Sequence, residues 1–283
     1  MRLEQYIKED SNYENEGRSV SLDLPKASAV FHKSCKEAYE NPHRIVRGVS
    51  SAQRSDFLFV EPKKFTRVSR NTFNFYTLLM DNSPKWKEYP KRSQSIICSS
   101  YDNYNGDFHY SMSFGRTFIV FPFNGANIGV CSSTDIWGSF AKSGLGELAD
   151  INYCIEGLAR SVGLQKSLRQ AETNYDKLMK LLRDIDEKRF DIDEKRFDID
   201  INNEKLKNWN IFVKKGYLED KDLTLMDIIE KLLDPNVNGF KHQKISQFNP
   251  ASTEDVEVWT DAPSLLINAN RYERLIKELI NYR

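Results

Sequence analysis

From Gly163 to Gly216 the chain runs without an intervening glycine or proline and becomes strongly charged. Turn-forming residues punctuate any sheet domain, so a stretch of this length without one reads as helix. Within it Asp184–Phe190 recurs residue for residue as Asp191–Phe197, which puts Ile185, Ile192 and Ile199 in register, with Leu178 before them and Leu206 after. One apolar position per heptad falls short of a two-stranded coiled-coil seam. Opposite charges four apart, Asp184 with Lys188 and Asp191 with Lys195, add about 0.3 kcal/mol each to a solvated helix. A continuous helix from Ser167 to Trp209 would measure about 60 Å, too long for the inside of a small domain. Residues 151–244 are therefore expected to form a helical insertion that protrudes from or wraps the rest, and that either recognises a partner, covers a cleft or serves a plain structural role. A second helix near Leu223–Leu233 is closed by Asp234-Pro235.

The flanking segments have a different period. His43–Val49, Ser95–Ser100, Phe118–Pro122, Ala126–Val130, Val256–Trp259 and Leu265–Ile267 are short apolar runs separated by turn residues, the pattern of strands. Asn124-Gly125 between two of them predicts a hairpin. Helices are expected from Leu24 to about Tyr39, from about Asn71 to Met80, and over the amphipathic tail Tyr272–Ile280, which should dock on the core. The expected fold is α+β, with two packed, mainly antiparallel sheets. Its divisions are an N-terminal arm (1–24), a first part (25–150), the helical insertion (151–244), and last strands with a C-terminal helix (245–283).

Composition narrows the function classes. Lys plus Arg and Asp plus Glu each number 41, so net charge does not hold this chain to nucleic acid, although a local basic face is still open. The four cysteines are widely spaced, and His32, His43, His109 and His242 have no ligand spacing, so no metal site is expected. The first residues lack an apolar core and no 18-residue apolar run occurs, which predicts a cytoplasmic protein that does not span a membrane. There is no Walker lysine, no GxGxxG entrance and no GxSxG elbow.

Three separated features carry the chemistry. The first is Arg47 followed by Gly48 in the strand His43–Val49. An arginine there is either a half-exposed strand residue paired with a structural acid, or a planar fork for a diphosphate. Arg44, on the opposite face, should be dispensable. The second is the hydroxyl pair Ser99-Ser100 at a strand end. The third is Asp255-Val256-Glu257, in which both acids point to one face while Val256 and Val258 face the core. Basic and aromatic residues also alternate over 56–92, where Arg67, Asn71 and Tyr76 offer hydrogen-bond donors. They read as a core with a basic rim, as a nucleic-acid surface, or as the frame of a nucleotide pocket.

Arginine, serine-bearing strand and x-Glu acid pair, in this chain order, resemble the Arg-Ser-Glu class of mono-ADP-ribosyltransferases, the cholera-toxin-like and iota-toxin-like enzymes. The resemblance covers roughly residues 25–150 and 245–270. It implies NAD+ as substrate, bound in a cleft between two sheets, with its diphosphate on Arg47 and Gly48 and its nicotinamide ribose framed by Asn71 and Tyr76. It implies that Glu257 stabilises the cationic ribose and that Ser99 orients it. Asp255, at a position where the family carries Glu or Gln, would serve the acceptor, with Glu254 as its substitute; Asp135 and Glu147 are rival acids. The implied acceptor is a macromolecule, protein before nucleic acid, and the implied setting is that of intracellular effectors, including phage-encoded ones in a host cytoplasm. A non-enzymatic binding module and an NAD+ glycohydrolase are the competing expectations.

Overall fold

A computed structural model describes residues 19–49, 54–67, 74–101, 116–140, 148–188, 223–250 and 255–282. Its strands are β1 (Ser19–Ser21), β2 (Arg44–Val49), β3 (Phe57–Val60), β4 (Ile96–Tyr101), β5 (Arg116–Pro122), β6 (Asn127–Val130), β7 (Lys241–Lys244), β8 (Glu257–Thr260) and β9 (Ser264–Asn268). They join in the order β1-β3-β9-β5-β2-β4-β8-β6-β7, and every neighbouring pair is antiparallel. The fold is α+β as expected, but with one sheet instead of two. Three residue pairs make the difference: Arg44, Ile45 and Val46 of β2 stand opposite Tyr101, Ser100 and Ser99 of β4 and join what would otherwise be separate ladders.

The apolar alternation places these strands correctly, yet the predicted hairpin is absent. Asn124-Gly125 does turn the chain: Gly125 has φ +77° and the Ala126 N–H donates to the Phe123 carbonyl at 3.0 Å. The strands it joins nevertheless have different partners, β5 pairing with β2 and β9, and β6 with β7 and β8. A four-residue turn holds its ends within about 7 Å, so Pro122 and Asn127 lie no more than roughly 15 Å apart. In a flat sheet β5 and β6, with β2, β4 and β8 between them, would stand about 19 Å apart. The sheet must therefore curl, and the turn is its corner. Lys244 Nζ and the Ile245 N–H tie β7 to the same corner, donating to the carbonyls of Gly125 (3.1 Å) and Ala126 (2.9 Å).

One face of the curled sheet carries Leu58, Leu266, Phe118, Val120, Cys98, Val258, Ile128 and Val130, all buried in a single apolar cluster. Helices cover part of the other face. The first of them reads in sequence as one helix but is two, α1 (Leu24–Ser34) and α2 (Lys36–Glu40), with the buried Cys35 at the join. Phe31 of α1 meets Phe121 edge-on, and Tyr272 stacks on the same ring. Tyr272 opens the C-terminal helix α9 (Tyr272–Asn281), which docks as expected through Leu275, Ile276 and Leu279. Burial pushes the Cys35 thiol up to about 12, so almost no thiolate is present at neutral pH. Cys35 should therefore resist an alkylating reagent at pH 8 in the native protein and react once denaturant is added; rapid native labelling, read by mass spectrometry, would contradict this burial.

The chain divides into two compact units, one of Met1–Arg67, Glu88–Ile136 and Phe240–Arg283, the other of Val68–Lys87 and Trp137–Gly239. The second unit is helical: α3 (Phe75–Asn82), α4 (Ile136–Ser139, whose first residue belongs to the first unit), α5 (Leu148–Ser161), α6 (Gln165–Ala171), α7 (Tyr175–Lys188) and α8 (Leu225–Leu232). It takes in α3 from ahead of β4, begins before the expected residue 151 and ends at Gly239, so that β7, inside the bounds expected for the insertion, is a strand of the sheet. The continuous helix predicted from Ser167 is broken after Ala171, because Asn174 accepts the Lys177 N–H on its side chain at 3.0 Å and caps a new helix. Leu178, Leu181, Leu182 and Ile185 of α7 are all buried, so the helix is packed on its neighbours instead of standing in solvent. Asp184 pairs with Lys180 at 2.7 Å, not with Lys188. The second copy of the repeat lies outside the described residues. The loose arm expected over 1–24 contains β1, and Leu24 already belongs to α1. Among the described residues, no helix is long and apolar enough to cross a membrane.

Candidate functional site

The β2–β4 ladder stops after Val46 and Ser99. From Arg47 onward β2 pairs only with β5, while Ile96, Ile97 and Cys98 pair only with β8. The sheet forks at this point. Nη1 of Arg47 donates to the Ile97 carbonyl across the fork at 2.9 Å, where a strand partner would otherwise have bonded. Gly48, half-buried, follows on β2 opposite Thr117.

The row of residues just inside the fork is Val46, Ser99 and Glu257. Residues directly opposed in an antiparallel ladder lie about 5 Å apart and point to one face. The strands carrying the arginine, the serine and the acid are thus consecutive, and the Cα of Glu257 is about 10 Å from that of Val46. Alternation sends Arg47 to the face opposite Ser99 and Glu257, so its guanidinium approaches them only through the fork. Asp255, half-buried, sits just ahead of β8.

Glu257 is almost completely enclosed, at 2% exposure, and so is its ion-pair partner Arg92, at 1%; the two meet at 2.6 Å, Nη1 to Oε1. The Cys131 thiol lies 3.9 Å from the same oxygen, and the Ile136 N–H donates to Oε2 at 3.3 Å. Arg92 stands over the Trp259 ring, its Cζ 5.5 Å from the centroid. Trp259 donates its indole N–H to the Pro90 carbonyl at 2.9 Å and stacks on Tyr89. This clamps the segment ahead of β4 onto β8, two residues from the acid. The hydroxyl of Ser99 donates to the Ser100 carbonyl at 3.3 Å and not to Glu257. Ser100 is the serine that braces the acid strand: its hydroxyl accepts the Val256 N–H at 2.9 Å.

The remaining candidates lie elsewhere. Tyr76 is 3% exposed within α3 of the second unit, where helical spacing with Leu79 and Met80 makes it core. Asn71, Glu147 and Glu254 lie outside the described residues. Asp135 is buried next to Ile136 in the chain. Arg44 is not an idle control, because its guanidinium donates to the Asn41 carbonyl and interacts with Tyr272. Arg92 carries no local signal of burial in the sequence, since Lys91-Arg92 in a polar stretch after proline looks like solvated surface. Only the pairing of β4 with β8 brings that stretch over Glu257.

Protein-family models, curated proteins and solved structures were compared with the chain, and none matches.

Proposed function

We propose that the protein is an NAD+-dependent mono-ADP-ribosyltransferase acting at the fork between β2 and β4. The observation that supports this most is the juxtaposition of Arg47, Ser99 and Glu257 on three consecutive strands although they are far apart in the chain. Breaking the bond between nicotinamide and ribose builds positive charge on the sugar, as in glycoside cleavage. In this reading Glu257 stabilises that charge, Arg47 and Gly48 take the diphosphate, and Asp255 receives the proton of the attacking acceptor, a macromolecule and by default a protein. The balance is simple: the C1′–N bond breaks, nicotinamide leaves with the bonding pair, and an acceptor heteroatom bonds C1′ as it gives up its proton.

Labelled NAD+ tests the proposal. Label on a macromolecule in lysate supports transfer, whereas free ADP-ribose alone would make the protein a glycohydrolase. No binding and no turnover would favour a non-catalytic module, the reading that the enclosed Arg92–Glu257 pair speaks for. Arg47→Ala is expected to weaken NAD+ binding by about 10- to 100-fold, the loss of one charged hydrogen-bond donor. Equal affinity, measured calorimetrically on folded variant, would remove Arg47 from the site.

A further inference from the structure

We propose that the outer edge of β7 is a docking site for an extended acidic segment of a partner protein, which joins the sheet there as a further antiparallel strand. β7 ends the sheet and pairs only with β6. The Ile245 N–H donates to the Ala126 carbonyl, and opposed residues alternate between bonded and non-bonded pairs along an antiparallel ladder. Lys241 and Gln243, opposite Val130 and Ile128, therefore turn their backbone groups toward β6, while His242 and Lys244 turn theirs outward. The same alternation turns the Asn127 carbonyl away from β7, where the Thr260 hydroxyl donates to it at 2.8 Å. Among the described residues, none bonds the N–H or carbonyl of His242 or the N–H of Lys244. An added strand captures such groups.

Charge selects the guest. Lys241, His242 and Lys244 are exposed, and among the described residues no carboxylate pairs with either lysine. Lys244 Nζ donates to the Gly125 carbonyl at 3.1 Å, which leaves two of its three N–H donors for an acid. Alternation puts Lys241 and Lys244 on opposite faces, so they flank the plane of the sheet. Nucleic acid is met by basic residues gathered on one face, whereas a strand lying in the sheet presents side chains to both. In the antiparallel register that bonds His242, the guest residues opposite Lys241 and Lys244 are three apart, and an acid at each place forms a favourable cross-strand pair. A second copy of β7 brings Lys-His-Gln-Lys and no acid, and edge lysines oppose such self-pairing. The edge is also held from within. Gln243 makes two side-chain bonds to the Asn249 backbone, at 2.8 and 3.1 Å, and Tyr89 packs against the His242 ring with centroids 5.0 Å apart. A strand already fixed in place costs a guest less to bind.

The test titrates 15N-labelled protein with the end-blocked peptide Thr-Glu-Val-Thr-Glu-Val and follows the backbone amide resonances. Saturable shifts concentrated at His242 and Lys244 are expected. N-methylation of the second threonine, the residue placed opposite His242, removes the N–H donated to the His242 carbonyl and leaves the charge unchanged, so binding should weaken about tenfold. The variant Lys241→Glu/Lys244→Glu should lose this peptide and bind the one in which lysine replaces both glutamates. Equal affinity of the methylated and unmethylated peptides overturns the proposal, because attraction would then be charge alone, and that comparison needs no variant protein. An oligothymidylate that shifts the same amides when the peptide does not would assign the edge to nucleic acid. Concentration-dependent broadening of the β7 amides without peptide would assign it to a second copy. Silence with every probe would leave the lysines as edge protection only. Each of these three outcomes also overturns the proposal, and none bears on the transferase reading.

Discussion

Glu257→Gln is expected to lower the unfolding free energy by about 3–5 kcal/mol, the range for breaking a buried ion pair by removing one partner. The loss arises because Arg92, 1% exposed, keeps its charge while its counter-ion disappears. Its consequence for activity is confounded unless stability is measured alongside. Turnover should fall by at least about a hundredfold, because the charge removed acts mainly in the transition state, but part of any loss at 37 °C would be unfolded protein. The double variant Glu257→Gln/Arg92→Met separates the two. Replacing both members of a buried pair by uncharged groups of similar size is often close to neutral, so the double variant should recover most of the stability and none of the turnover. Denaturant unfolding curves and single-turnover assays below both melting points provide the readout. Recovery of turnover together with stability would show the acid to be structural, and a Glu257→Gln protein as stable as wild type would mean that the pair is not closed in solution.

Much of this arrangement is legible in the residues, and the missing part is non-local in each case. Strand alternation is a period-two property of a few neighbouring residues, so β2, β4, β5, β8 and β9 appear near their true bounds. So does the common face of Ser99 and Glu257, once their strands pair. Partner choice is not local. Asn124-Gly125 specifies a turn and delivers one, but whether the strands it joins bond each other depends on β2, β4 and β8 inserting between them. Arg92 illustrates the same limit for burial: nothing in Pro90–Gln94 marks it as interior, and its enclosure is decided by Trp259 and Glu257 far along the chain. For α7 the error lay in the period. The seven-residue repeat marks only Leu178 and Ile185, whereas Leu181 and Leu182 complete the apolar face with them, and Asn174 caps the helix from a segment that carries no other turn signal.

Gly129→Ala is expected to destabilise the protein by about 3 kcal/mol or more, at the upper end for over-packed cores. Gly129 on β6 stands opposite Trp259 on β8, and a Cβ there would lie 2.2 Å from Cε2 and 2.3 Å from Cζ2 of the indole, far inside van der Waals contact. The ring cannot swing away cheaply. It is 1% exposed, bonded to Pro90, stacked on Tyr89, and met edge-on by Phe240. The same ring supports Arg92, so displacing it disturbs the ion pair as well as the packing. A double-mutant cycle with Trp259→Leu checks the cause. Trp259→Leu alone should cost several kcal/mol, about 3 by the usual price of a large-to-small core change. Once the ring is gone, however, the added methyl at position 129 should cost little, giving a coupling of at least about 1 kcal/mol. Additive losses in denaturant unfolding would mean that the alanine is resisted by something other than the indole, and that Trp259 is not the fixed platform on which Arg92 and Glu257 are set.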